Sequence, residues 1–116
     1  MAYIDGFVVP VPTANREIYK KMAETAAVVF KDNGALALVE CWGDDVPEGK
    51  VTSFSMAVRR KEDETVVFSW ITWPDRQTRD AGMKAAMEDP RLKNHGEMPF
   101  DGQRMIFGGF EVLVDA

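Results

Sequence analysis

Four stretches of this chain alternate in a way that leaves both faces of each apolar. In Tyr3–Val11, Phe7, Val9 and Val11 face one way and Ile4 and Val8 the other. In the stretch from Ala35 to Gly43, Leu36, Leu38 and Trp42 oppose Ala37, Val39 and Cys41. From Thr65 to Trp73, Val67, Ile71 and Trp73 oppose Val66, Phe68 and Trp70. From Arg104 to Val114, Met105, Phe107 and Leu113 oppose Ile106, Phe110, Val112 and Val114. Successive side chains of a strand point to opposite faces, and an antiparallel sheet with one wet face alternates to polar residues on that side. These strands do not. Monomers seldom expose so large an apolar patch, and two such faces can cover each other about a two-fold axis. The pattern therefore predicts a homodimer joined through one sheet face. The alternative is that the irregular stretches 44–64 and 91–103 fold over it.

Between the strands lie two helical patterns. From Ala14 to about Asn33, Ile18, Met22, Ala26 and Val29 share a face, widened by Tyr19, Ala23, Ala27 and Phe30. Thr13 is the expected N-cap, and Gly34 sits where a left-handed residue ends a helix. From Arg76 to about Glu88, Met83 and Met87 form an apolar pair beside Ala81, Ala85 and Ala86; Asp75 is the expected cap and Pro90 the stop. Arg76 and Arg79 read as the wet side of that helix. Residues 53–59 fit either a helical turn capped by Thr52 or Ser53, or a strand. Gly108-Gly109 inside the last strand predicts a bulge or a close backbone approach. The order is strand, helix, strand, insert, strand, helix, strand. That is βαββαβ, an α+β ferredoxin-like arrangement with both helices on one face of an antiparallel sheet. At 116 residues it is one domain, 1–116.

Net charge is −5, from 14 Lys and Arg against 19 Asp and Glu. Nucleic-acid binders need a positive face. The one basic run, Arg59-Arg60-Lys61, is followed at once by Glu62-Asp63-Glu64. Nucleic acid and membrane surfaces are therefore not expected partners. The single cysteine excludes a disulfide framework. With no basic, apolar leader at the start, the chain reads as cytoplasmic.

Several stretches are specific enough to carry a resemblance: residues 3–11 (YIDGFVVPV), 40–47 (ECWGDDVP), 64–71 (ETVVFSWI) and, most specific, 98–110 (MPFDGQRMIFGGF). Across essentially its whole length the chain resembles the DUF1428 family of small bacterial proteins, within the dimeric α/β-barrel superfamily. The resemblance implies the ferredoxin-like fold and sheet-to-sheet homodimerisation. It implies no activity, because the family has none established. The wider superfamily includes cofactor-free oxygenases, haem-degrading enzymes and small-molecule isomerases, an analogy at the level of fold alone.

No reaction is legible in the residues, but places for a ligand are. Asp5, Glu40 and Glu111 each interrupt an apolar strand, and a carboxylate on a sheet face is costly unless paired or wet. Asp5 and Glu40 are the candidates for acid or base work; solvent exposure at strand ends, or pairing with an arginine, is the plainer reading. Asp101 could brace Arg104, whose planar fork suits a ligand carboxylate. Phe100, Trp70 and Trp73 complete the candidate ligand-binding set. Trp70 and Trp73 are three apart, so one packs under the helices and the other lines the dimer face or a pocket mouth. Cys41 reads as a buried small hydrophobe and His95 as a loop residue without metal-ligand spacing. No cofactor and no metal are expected. The reading that follows is a cytoplasmic homodimer with a small-molecule pocket between sheet and helices. One alternative is a cofactor-independent oxygenase or isomerase acting on an aromatic or quinone-like molecule. There Asp5 or Glu40 would handle the proton, Trp70 or Trp73 would stack the substrate, and Arg104 would hold an anionic group. The other is a non-catalytic assembly module.

Overall fold

The computed structural model describes residues 2–93 and 96–116. Strand β1 (Tyr3–Pro12) leads through a 3-10 turn, Thr13–Asn15, into helix α1 (Arg16–Asp32) and strand β2 (Ala37–Trp42). A short helix α2 (Phe54–Ala57) interrupts the insert before strand β3 (Glu64–Trp73). Helices α3 (Arg76–Glu88) and α4 (Pro90–Lys93) then precede a second 3-10 turn, Gly102–Arg104, and strand β4 (Ile106–Glu111). The four strands form one antiparallel sheet in the order β2-β3-β1-β4. The long helices lie on one face, as the βαββαβ order requires.

The period-2 pattern places the core. Tyr3, Val9, Val11, Val67, Ile71 and Trp73 point to the helices and are buried with Tyr19, Ala23, Val29, Phe30 and Ala86. Trp73 is wholly buried, and Phe30 meets its ring edge-on at 6.2 Å between centroids. Helix α3 packs so closely there that a Cβ on Gly82 would lie 2.3 Å from the Asn33 carbonyl oxygen and 2.5 Å from the Trp73 ring. On α1 the buried stripe is turned by about one residue from the expected face, so Tyr19 and Ala23 face the sheet and Ile18 is exposed.

The caps explain where the elements begin. Asp75 accepts from the Thr78 amide at 2.7 Å, and Gly34 has φ +104°. Thr13 does not cap α1. Its hydroxyl instead meets that of Thr65 at 2.7 Å and its amide bonds the Asp63 carbonyl. Tying the chain to β3 in this way delays the helix to Arg16. Ser53 accepts from the Met56 amide at 3.0 Å, which selects helix for the short stretch sequence periodicity left open. Pro90 ends α3, yet it also opens α4, because a first-turn proline lacks only an amide hydrogen the helix would not use. The last strand starts at Ile106 rather than Arg104, since Asp101 caps a 3-10 turn through the Gln103 amide at 3.0 Å. The glycine pair makes no bulge: Gly109 and Gly108 stay in register with Asp5 and Gly6. The close approach is the one that holds, for a Cβ on Gly109 would lie 2.3 Å from the Tyr3 hydroxyl oxygen.

The second sheet face carries Ile4, Val8, Val39, Cys41, Val66, Phe68, Trp70, Ile106 and Phe110. The insert covers one corner only. Val58 packs on Val8 and Val66, and Phe54 meets Phe68 edge-on at 6.0 Å. Phe68, Ile106 and Phe110 remain exposed.

Candidate functional site

A groove of about 390 Å³ runs between α1 and β2. Its walls follow from two periodicities. Alternation on β2 sends Leu38, Glu40 and Trp42 to the helix side, opposite Ile71, Ser69 and Val67 of β3. The i, i+4 spacing of α1 sends Tyr19, Ala23 and Ala27 down towards them. Because β2 is an edge strand, the groove stays open along its outer side.

At the floor the Tyr19 hydroxyl donates to Glu40 Oε1 at 2.7 Å. Glu40 keeps an open edge to solvent, yet burial of its carboxyl in the groove pushes its pKa above the usual carboxylate range. Hydrogen bonds from the Tyr19 and Ser69 hydroxyls act against that rise. The Tyr19 phenol is pushed far above its ordinary value, first by burial and then by the neighbouring Glu40 charge. At the mouth the Arg16 guanidinium lies 5.7 Å from the Trp42 ring centroid, a cation–π contact. The groove thus joins a partly solvent-open carboxyl and a phenol to an indole face and an aliphatic wall. Such a site can hold a flat small molecule and accept a proton from it.

The other sequence candidates lie elsewhere. Asp5, its side chain only 4% exposed, faces the helices on β1. It accepts from the Trp73 indole N–H at 2.9 Å and from the Arg79 guanidinium through Nε at 3.0 Å and one terminal nitrogen at 2.8 Å. Arg79, read from sequence as a wet residue, turns inward and also lies 5.1 Å from the Tyr3 ring centroid. Arg104 and Asp101 do come together: Arg104 Nε donates to Asp101 at 3.0 Å. The rest of the Arg104 fork is spent on Glu64, one nitrogen donating to Oε1 at 2.7 Å and to the Arg59 carbonyl at 2.9 Å. Those bonds hold the Glu64 carboxyl below its ordinary range. Phe100 packs edge-on against Tyr19 at 5.7 Å and so backs the groove floor. Trp70 is on the open sheet face beside Phe68, at 5.7 Å between centroids. Glu111 is exposed opposite Tyr3. Cys41 is exposed rather than buried, because β2 is an edge and Cys41 faces the uncovered side. His95 lies outside the described residues. Among the described residues no three His, Cys, Asp or Glu gather to hold a metal ion, and no helix is long and apolar enough to cross a membrane.

Sequence reasoning singled out Glu40 and Phe100 but missed Tyr19, Trp42 and Arg16 as its neighbours. Tyr19 sits among apolar residues on the helical period and reads as core. Its hydroxyl was the available signal, since a buried phenol needs a partner.

A family described as a protein of unknown function, DUF1428, matches residues 2–102. The chain is 57% identical over 116 residues to the uncharacterised protein YbaA of Escherichia coli strain K12, covering 99% of each, and equally to YbaA of Shigella flexneri. Among solved structures it is similar to Rv0793 from Mycobacterium tuberculosis, with a TM-score of 0.55 and 11% identity over 100% of this chain and 99% of that one. It is also similar to a dimeric ferredoxin-like protein from an uncultured marine organism, with a TM-score of 0.62 and 12% identity over 99% and 98%. At those identities the likeness shows a shared ferredoxin-like fold. Its family match and its YbaA relatives together make this chain a member of the DUF1428 family.

Proposed function

We propose that this protein is a homodimer, joined through its open sheet face, that binds a small molecule in the α1–β2 groove. The observation that carries the binding reading is the Tyr19–Glu40 pair on the floor of that groove, beside the Trp42 ring. Burial raises the proton affinity of Glu40, the Tyr19 hydroxyl orients its carboxyl, and Trp42 offers a stacking surface to a planar ligand. The homodimer reading is supported by the exposed Phe68, Ile106 and Phe110 on one sheet face. The dimeric state of the ferredoxin-like neighbour points the same way.

An enzymatic form of this reading, a cofactor-independent oxygenase or isomerase acting on an aromatic molecule, is favoured by the same carboxyl. Glu40 would take the proton and Tyr19 would hold Glu40 in place. Asp5 would keep to its bonds with Trp73 and Arg79, supporting the fold around the site. Native mass spectrometry of the protein as purified tests the binding reading, backed by ligand-observed NMR against small phenols and aromatic carbonyl compounds. Glu40→Gln and Trp42→Ala are expected to weaken binding while leaving the circular dichroism spectrum unchanged. Binding that survives both substitutions would remove the groove from consideration.

A further inference from the structure

Charged side chains of both signs line the α1–β2 groove: Arg16 and Lys20 against Glu17, Glu24 and Glu40. The two cations stand four residues apart on α1, one turn above the other. Elsewhere in the molecule Arg60, Arg76, Arg79, Arg91 and Arg104 each hold a carboxylate. Among the described residues Arg16 and Lys20 hold none. The Arg16 guanidinium rests instead over the Trp42 ring, 5.7 Å from its centroid. It does not serve the helix, for a cation at the first position of α1 opposes the helix dipole. Arg16 is exposed, and a cation–π contact in water is weak. The groove mouth therefore carries a planar cation with no carboxylate to fork onto, loosely parked on an indole face.

We infer that this groove selects a planar aromatic carboxylate with a hydroxyl at the far end of its ring. The inference rests on the groove reading above and names the class of ligand. The ring lies on Trp42, the hydroxyl donates to Glu40, and Arg16 takes the carboxylate in its planar fork. The lengths agree. Glu40 and Trp42 are two apart on β2 and face the same side, so they are separated by about 6.6 Å, close to the span of a benzene ring with a substituent at each end. Binding is an exchange: the ligand ring takes the indole face, and the guanidinium leaves it for the carboxylate. A weak contact is replaced by two charge-assisted hydrogen bonds. A neutral ring must displace Arg16 and gives it nothing in return. Lys20 adds a second positive charge one turn along, whereas Glu17 and Glu24 repel an anion. The fork of Arg16, not the summed charge of the groove, thus carries the selection.

The test compares para-hydroxybenzoate with its neutral amide, para-hydroxybenzamide, each titrated at neutral pH into the nitrogen-15-labelled full chain. The acid is expected to bind at least tenfold more tightly and to shift the Trp42 indole N–H. Benzoate, which lacks the hydroxyl, should bind severalfold more weakly than para-hydroxybenzoate. Arg16→Gln changes an exposed residue without an ion pair, so its circular dichroism spectrum should match that of the wild type. In that variant the acid should bind at least tenfold more weakly, while the amide binds as before or more tightly, having no guanidinium to displace. An amide that matches the acid, a preference that survives Arg16→Gln, or a benzoate that matches para-hydroxybenzoate overturns the assignment of the ligand class and leaves the groove standing. If none of the three compounds moves Trp42, Tyr19 or Glu40 at millimolar concentration, the groove reading falls and the ligand class with it.

Discussion

The indole N–H of Trp73 donates to Asp5 Oδ2 at 2.9 Å, joining two residues 68 positions apart across the β1–β3 ladder. The same carboxylate holds the Arg79 guanidinium, so a buried charge on the helix side of the sheet is paired and hydrogen-bonded. An isolated buried carboxylate would be costly; this one is tolerated because three donors meet it.

Asp5→Asn should therefore destabilise the fold by about 2–4 kcal/mol, since Arg79 loses its buried counter-charge and keeps only the exposed Asp80, 2.9 Å from its other terminal nitrogen. Urea unfolding of the variant measures this. A loss under about 0.5 kcal/mol, the range of ordinary surface substitutions, would show that the pair carries little of the stability.

Gly82→Ala is expected to be costly for a different reason. The added methyl would meet the Asn33 carbonyl and the Trp73 ring, and a backbone oxygen cannot swing aside as a side chain does. Overpacking of this kind costs about 1–3 kcal/mol or more. Thermal unfolding should show it, whereas Gly96→Ala, with open space around its Cβ, should lose only the cost of its left-handed backbone.

Glu64 and Glu40 should leave opposite marks on the pH dependence of stability. Arg104 lowers the Glu64 pKa on folding, so its contribution is present above the unfolded value of about 4.5 and is lost as pH falls through the folded value. Burial raises the Glu40 pKa, so the folded state is favoured by this group below about pH 4.5 and loses that advantage as pH rises to the folded value. Urea midpoints measured against pH should lose the acid limb in Glu64→Gln and the rise-linked loss in Glu40→Gln.

Tyr19→Phe should raise the Glu40 titration midpoint further, because it removes a donor that favours the ionised carboxylate. Carbon-13 NMR of the Glu40 carboxyl follows it directly. An unchanged midpoint would mean that the hydroxyl does not govern the carboxyl.

The sheet was legible because its alternation is strict: Val67, Ile71 and Trp73 face the helices and Phe68 and Trp70 do not, as the period of two requires. Asp75 and Gly34 were legible because each acts within a few residues of its own position. Thr13 was not, since its preferred partners, Thr65 and Asp63, are brought to it only by the folded sheet. The same holds at the sites. Glu40 stood out as a charge in an apolar strand, but its pairing with Tyr19 depends on how α1 lies on the sheet. Arg79 looked wet on a helical wheel, and only the packing of α3 against β1 turns it to Asp5. Local chemistry and period were readable; contacts between distant residues were not.

The most direct test of the account is the Trp42 indole N–H resonance in nitrogen-15 NMR spectra while small phenols and aromatic carbonyl compounds are titrated into the wild-type protein. Binding in the α1–β2 groove should shift Trp42 together with the Tyr19 and Glu40 amides, and Glu40→Gln should weaken the shifts severalfold. Ligands that perturb Trp70 or Trp73 and leave Trp42 unmoved, or a library that moves none of the three, would contradict the groove as the binding site.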